Sequence, residues 1–340
     1  MHTEIYPSAD GFVKLAAEWN ELLSDSVSDT VFLTYQWQSS WWRHLGDGTP
    51  TLIALRDKDG RLNGLAPLYS KLTSNGEWEL NTVGCVDVSD YLDIIARRGH
   101  EERVYGALLD LLAQPASLNL TWDVVNLCNV PEHSPTLALF GPMAAERGFQ
   151  VSSQVQEVCP IVTFDGDWDN YLMSLVGKER RELRRKMRQA NPHAGVEWYI
   201  VGPDHDLPAE VDKFIHLMAL SHPDKAEFLH TEHRSFMHEI AQVAWDEGWL
   251  ELAFLTIQGE PAASMFNFVH KNRTLLYNSG MDSARFLRHS PGIVLTAFLI
   301  QHSIENGREA FDFLRGDEGY KYRLGGVDTS IYQLLIRRRA

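Results

Sequence analysis

One order of elements occurs twice along this chain, and that repetition limits the available folds more than composition does. In the first half, a helix with a tryptophan-rich face (Phe32 to Leu45, with Trp37, Trp41 and Trp42) precedes strand-like runs at about 51–57 and 62–70, turned at Asp59-Gly60. Asn75-Gly76, a strong hairpin signal, leads to runs near 77–83 and 91–96, then a helix at about 101–113, a strand at 122–127 and a helix at 134–147. In the second half, amphipathic helices near 208–221 and 231–247 precede strands at 249–257, 262–269 and 274–280. These turn at Gly259-Glu260-Pro261 and at His270-Lys271-Asn272-Arg273. A helix opening at Pro291 then buries Ile293, Ala297, Ile300 and Ile304 at helical spacing and stops at Asn306-Gly307, and the strand EAFDFLRG begins at once. An antiparallel meander followed by strand, helix and parallel strand predicts an α/β chain, more finely α+β. Each half is expected to be a mixed, mostly antiparallel sheet flanked by helices.

A single hydrophobic core seldom grows past roughly 250 residues, so 340 residues divide most simply into two domains. We place them at 1–160 and 161–340, joined through the strand-like VSSQVQEVCPIVTF. With 44% hydrophobic and 23% charged residues, neither half lacks the means to bury a core. The first residues lack a basic start followed by an apolar core, and no run approaches the roughly 20 apolar residues of a spanning helix, so the expected location is the cytoplasm. Cys85, Cys128 and Cys159 are scattered and odd in number, read here as separate core thiols in a reducing compartment.

The net charge of −15 argues against broad binding to nucleic acid or an anionic membrane, and no DNA partner is expected. One window runs the other way. Residues 178–188, KERRELRRKMR, hold seven basic and two acidic side chains, +5, against 24 basic and 44 acidic, −20, elsewhere. At helical pitch Arg181, Arg184, Arg185 and Arg188 form one basic stripe, leaving Leu183 and Met187 to meet the protein. It reads either as a solvated helix paired with acidic neighbours or as a site for an anionic acceptor or cofactor phosphate. A second anion site is the start of the helix at Pro291. Ser290 is expected to cap it, Pro291 suits its first turn, and Gly292 leaves its amides open to close approach. Free N–H groups and the helix dipole favour a phosphate there, with Arg285, Arg288 and His289 just upstream. The matching helix of the first half begins with Glu101 and Glu102, which would repel a phosphate, so the anion site is expected in the second half only.

The second half resembles an acetyltransferase domain of the GNAT superfamily. The whole chain resembles the two-domain acyltransferases named for CelD of bacterial cellulose biosynthesis (the CelD/BcsL type), relatives of the FemABX aminoacyl transferases. The residues that carry this are Phe32 to Trp42 with the following hairpin, SDYLD, KERRELRRK, and above all HSPG followed by FDFLRGDEGYKYRLG. The resemblance implies two tandem GNAT-like domains, the first degenerate, acting as scaffold and acceptor wall, the second with acetyl or other acyl coenzyme A as co-substrate. Its pyrophosphate would lie on Arg288, His289, Ser290, Pro291, Gly292 and Ile293. The family's loop reads Arg or Gln, two residues, Gly, one residue, then Gly or Ala. Here His289 to Val294 keeps only the central glycine, and Pro291 removes a donor. An aminoacyl-tRNA donor of the FemABX kind and a non-catalytic subunit of an exopolysaccharide system therefore remain as alternatives.

Acyl transfer to an amine or hydroxyl needs a held donor, a base near the nucleophile, and stabilisation of the oxyanion and departing thiolate. Asp312 is the candidate base, Tyr320 the candidate acid, and Lys321 the candidate partner of the oxyanion or of an acceptor carboxylate. An ion pair of Asp312 with an arginine or with Lys321 is the structural alternative. From the first half, Asp90, Tyr91 and Asp93 are carried over as acceptor-binding residues, against a turn in which Asp90 caps its own backbone. His222, His230, His233 and His238 cluster without the spacing of a metal site, so no metal is expected. The absence of Gly-x-Ser-x-Gly, Walker and dinucleotide motifs lowers hydrolase, NTPase and dehydrogenase readings.

Overall fold

The computed structural model describes residues 1–85, 88–114 and 121–338. They form two compact units, Met1–Glu157 with Thr329–Ala340, and Val158–Asp328.

The first unit runs β1 (His2–Tyr6), α1 (Asp10–Ser24), α2 (Tyr35–Leu45), β2 (Thr49–Arg56), β3 (Leu62–Leu72), β4 (Trp78–Thr82), β5 (Ile95–Ala96), α3 (Glu101–Leu112), β6 (Val124–Pro131), α4 (Gly141–Glu146) and the start of β7 (Gln150–Thr163). β1 to β4 form an antiparallel meander, β6 joins β4 in parallel after α3, and the chain's last strand, Val327–Arg337, pairs antiparallel with β6. β2 and β3 are buried along most of their length, which is why they read as continuous apolar runs rather than alternating ones. On α2, Trp37 and Trp41 are core and Trp42 is half-buried. Thr34 Oγ1 accepts the Trp37 amide at the helix start, and the Trp37 indole N–H donates to Ser89 Oγ at 2.9 Å.

Cys85 and Cys128 are joined by a disulfide, with Cα atoms 6.1 Å apart, and Cys159 is buried and free. This corrects the reading of three separate thiols and removes its argument for a reducing compartment. The partners lie 43 residues apart and meet because β4 runs parallel to β6, which brings the residues after β4 beside Cys128.

The second unit takes the rest of β7 and continues with α5 (Trp168–Ser174), α6 (Gly177–Gln189), β8 (Val196–Ile200), α7 (Leu207–Ser221), α8 (Pro223–Phe228), α9 (Thr231–Asp246), β9 (Leu250–Ile257), β10 (Glu260–His270), β11 (Arg273–Met281), α10 (Ser283–Phe286), α11 (Pro291–Glu305), β12 (Ala310–Asp312), α12 (Gly319–Arg323) and the start of β13 (Val327–Arg337). Its strand order is β7-β12-β11-β10-β9-β8, antiparallel except for β11 and β12, which the α11 crossover makes parallel. Successive side chains leave a strand on opposite faces. Ala253, Leu255, Met265 and Leu276 pack in one core with Val294, Ala297 and Ile300 of α11, while Phe266 meets Phe214 of α7. Gly280 sets the approach of α7, since a Cβ there would lie 2.3 Å from the Met218 amide nitrogen.

Several boundaries differ from the sequence reading; the helix expected from Phe32 begins at Tyr35, and that expected at 134–147 is α4 behind a wider turn at Thr136–Phe140. The expected strand from Glu309 to Gly316 ends at Asp312, because Leu314 takes a left-handed conformation (φ 54°) and Gly316 turns again at φ 112°. The expected strand at 91–96 shrinks to β5, because the residues before it are held by side-chain bonds to Asp93 and by one backbone bond, Leu92 to Asn129 of β6, and not by a continuous ladder.

Glu251 is one of several buried acids in this unit, and it lies outside the expected site. Glu251 of β9 is 5% exposed, with its carboxylate 3.4 Å from Asn267 Nδ2 and 3.8 Å from His302 Nε2. Burial raises its pKa to about 7, against which Arg308 and Asn267 act; burial, then Arg308, also lowers the pKa of His302, which therefore offers little compensating charge. A raised carboxyl contributes stability fully present below the unfolded value of 4.5 and lost as pH rises through about 7. Glu251→Gln should thus match wild type at pH 4 and exceed it by up to ~3 kcal/mol at pH 8. Urea melts at the two pH values test this; equal stability at pH 8 would mean that Glu251 carries no such strain.

Candidate functional site

β11 and β12 pair over only three residues, Arg273 with Ala310, Thr274 with Phe311 and Leu275 with Asp312. Beyond them β12 turns away at Leu314 while β11 runs on to Met281, with β10 its only strand partner among the described residues. A bulge at this point places Phe266 opposite Asn278 and Asn267 opposite Leu276, leaving Tyr277 as the extra residue. The result is an open strand edge, and such an edge offers N–H and C=O groups to any extended amide chain.

The end of β11 leads through α10 to the N-terminus of α11. Ser290 does not cap this helix, contrary to expectation. It sits at φ 49°, its side chain makes no capping bond, and its hydroxyl instead receives a hydrogen bond from Lys186 Nζ at 2.6 Å. The Val294 amide bonds the Ser290 carbonyl, and Pro291 has no N–H, so Gly292 and Ile293 are the first-turn amides without an intrahelical acceptor. A Cβ on Gly292 would meet only Met281, at 3.5 Å, so packing does not require the glycine. Arg288 and His289 are exposed beside it. Arg285 is less free, paired with Glu260 and Asp282 and lying over the Phe286 ring. The donor set, two open amides with Lys186, Arg288 and His289 around them, fits a diphosphate.

The basic helix divides between its two readings. Arg185 bonds Glu182 and Gln189, and Arg184 lies 3.5 Å from Asp169. Lys186 turns to α11, while Arg181 and Arg188 are exposed with no ion pair among the described residues.

The three residues expected to do chemistry gather around the loop after β12. Asp312 is 2% exposed and its Oδ1 accepts the Leu314 amide at 2.8 Å. Lys321, also 2% exposed, donates to the carbonyls of Leu314, Arg315 and Gly316 at 3.1, 2.6 and 3.1 Å and pairs with Glu318 at 2.9 Å. Asp312 and Lys321 thus grip the same left-handed residue from its two sides. Tyr320 packs edge-on against Phe313; burial first, then Glu318, holds its phenol protonated beyond the ordinary range.

Lys225 was not anticipated. Its Nζ donates to the Ser279 carbonyl at 2.8 Å and to Asn278 Oδ1 at 3.0 Å, and the Ser279 amide also bonds Asn278 Oδ1. Burial lowers its pKa to about 8, with Glu318 opposing and Lys321 reinforcing. It lies in PDKAEF, a six-residue helix with no periodicity to flag it.

In the first unit, Asp93 is wholly interior. Its carboxylate accepts from Ser28, Ser134 and Thr136 hydroxyls and from the Ile94 amide, while burial raises its pKa. Asp93 therefore anchors the SDYLD loop and shows no free oxygen for an acceptor. Asp90 is buried, and Tyr91 meets Phe32 edge-on. Among the described residues no group of three or more His, Cys, Asp or Glu side chains is arranged to hold a metal ion, and no helix is long and apolar enough to cross a membrane.

Residues 177–322 match the family profile described as "Acetyltransferase (GNAT) domain". No curated protein sequence matches the chain. Among solved structures, FemX shares the fold at a TM-score of 0.68 with 12% identity, over 98% of this chain and 97% of that one. The structure of L-PGS from Bacillus licheniformis aligns at 0.53 with 13% identity, over 95% and 91%. A tandem GNAT protein from the clavulanic acid biosynthesis pathway aligns at 0.52 with 12% identity, over the full length of both chains. Residues 177–322 thus match a GNAT-type acetyltransferase domain, in a chain that has the fold of tandem GNAT proteins.

Proposed function

We propose that this protein is an acyltransferase of the CelD-like kind, taking an acyl group from acyl coenzyme A and passing it to an amine or hydroxyl of a small or polysaccharide-linked acceptor. The observation that carries the reading is the open edge of β11 leading to the unfilled N-terminus of α11. In this reading the Gly292 and Ile293 amides, with Lys186, Arg288 and His289, hold the pyrophosphate, and the β11 edge receives the amide-bearing pantetheine arm. Coenzyme A supplies the acyl group as a thioester already activated for attack. Tyr320, protonated and half-buried, gives its proton to the departing thiolate, and Asp312 takes the proton of the acceptor. Lys321 shapes the loop that presents both. The first unit serves as scaffold.

Calorimetric titration with acetyl coenzyme A and, separately, a long-chain acyl coenzyme A tests this, with micromolar binding expected for one of them. Binding of neither would remove the reading. The exposed Arg181 and Arg188 would then favour an aminoacyl-tRNA donor, visible as salt-sensitive RNA binding. A second expectation separates the two faces of the basic helix. Lys186→Ala should weaken coenzyme A binding about tenfold, the scale of one charge-assisted contact, while Arg185→Ala, whose side chain is spent on Glu182 and Gln189, should leave it unchanged. Equal losses in both would mean that general positive charge, not the contact at Ser290, is what matters.

A further inference from the structure

The free edge of β11 is not bare. At Ser279 both backbone groups face away from β10, and both are taken. The amide bonds Asn278 Oδ1, and the carbonyl receives Lys225 Nζ, which also bonds Asn278 Oδ1. In an antiparallel pair every second residue turns its N–H and C=O outward, so these are the groups that a neighbouring strand or extended amide would use. A lysine from α8, a separate short helix, has been brought to them. The ammonium lies among groups of both signs, Glu318 and Lys321 beside it, and burial works against its charge. A strained cation on a strand edge is readily exchanged for a better partner.

We propose that Lys225 is an internal competitor of the acyl donor, closing the β11 edge at Ser279 until an extended amide chain takes its place. The proposal rests on the acyl coenzyme A reading above. Entry of the pantetheine arm requires the Ser279 carbonyl to exchange one N–H donor, the ammonium, for another, an amide of the incoming chain. Lys225 then swings toward Glu318. Asn278 keeps the Ser279 amide occupied until the same event, so the edge opens at one residue and not piecemeal. Lys225 thereby sets donor affinity while making no contact with the diphosphate at α11.

The test is calorimetric titration of the full chain with acetyl coenzyme A, for wild type, Lys225→Ala and Lys225→Met, each checked by thermal melting. If the plug is held over the open edge at about ten to one, its removal tightens binding about tenfold in both variants. Unchanged or weaker binding in the folded variants would overturn the proposal and make Lys225 an idle residue or a donor contact. Failure of the acyl coenzyme A reading is distinguishable, since it appears in wild type alone as an absence of binding, and would take this proposal with it. The methionine variant keeps most of the side-chain stem, so a tightening seen with alanine but not with methionine would assign the effect to bulk and overturn the role given to the ammonium.

Discussion

Gly292→Glu should abolish acetyl coenzyme A binding, raising Kd by at least about a hundredfold, while leaving the melting temperature unchanged or slightly higher. The two halves of that expectation have separate causes. Gly292 carries one of two first-turn amides of α11 with no intrahelical acceptor, and a carboxylate on its side chain would fill that amide and cancel the positive end of the helix. A diphosphate would then meet like charge at the contact that matters most. The fold should be indifferent, because a Cβ at this position meets only the flexible end of Met281 and the backbone is helical. An acid in a helix's first turn stabilises it by ~0.5 kcal/mol. Gly292→Ala is the companion variant, expected to bind within about threefold of wild type. Retained binding in the glutamate variant would remove α11 from the donor site, whatever the activity.

How much of this was legible in the chain follows from the range over which each feature is determined. The meander, the Asn75-Gly76 turn and the α11 crossover are local, written in periodicity and turn residues, and they appear where the sequence puts them. Ser290 shows the limit of local reading. A serine before Pro-Gly is a fair N-cap by type, yet its hydroxyl is drawn to Lys186, 104 residues away, and the backbone goes left-handed. Asp93 shows another. The resemblance made it an equal of Asp90, but four donors from Ser28, Ser134, Thr136 and Ile94 make it an anchor. Partners so distant in sequence leave no periodic trace. The same holds for Lys225 at Ser279, for Cys85 with Cys128, and for the last strand, whose residues VDTSIYQLLIR do not say that β6 is their neighbour.

The loop after β12 supplies the second large effect, because there the structural and chemical readings of one residue predict different measurements. Lys321→Met should destabilise the protein by ~4 kcal/mol, lowering its melting temperature by about 10 °C, before any question of catalysis arises. The lysine is buried, and its ammonium satisfies three successive carbonyls, of Leu314, Arg315 and Gly316. Methionine matches the stem but offers no donor, so those carbonyls lose their shared partner in a place poorly reached by water. Leu314 is the weak point. A branched residue at φ 54° stays there only while Asp312 holds its amide and Lys321 its carbonyl, and releasing either end lets the loop relax toward an ordinary extended path. Asp312→Asn is the informative contrast, since its side-chain oxygen can still accept the Leu314 amide while the basic carboxylate is gone. It should keep the wild-type melting temperature and lose at least about a hundredfold in kcat if Asp312 takes the acceptor's proton. Unchanged kcat in a stable Asp312→Asn protein would leave Asp312 a brace alone. An unchanged melting temperature in Lys321→Met would show that the three carbonyls find other partners, and would return Lys321 to the chemistry.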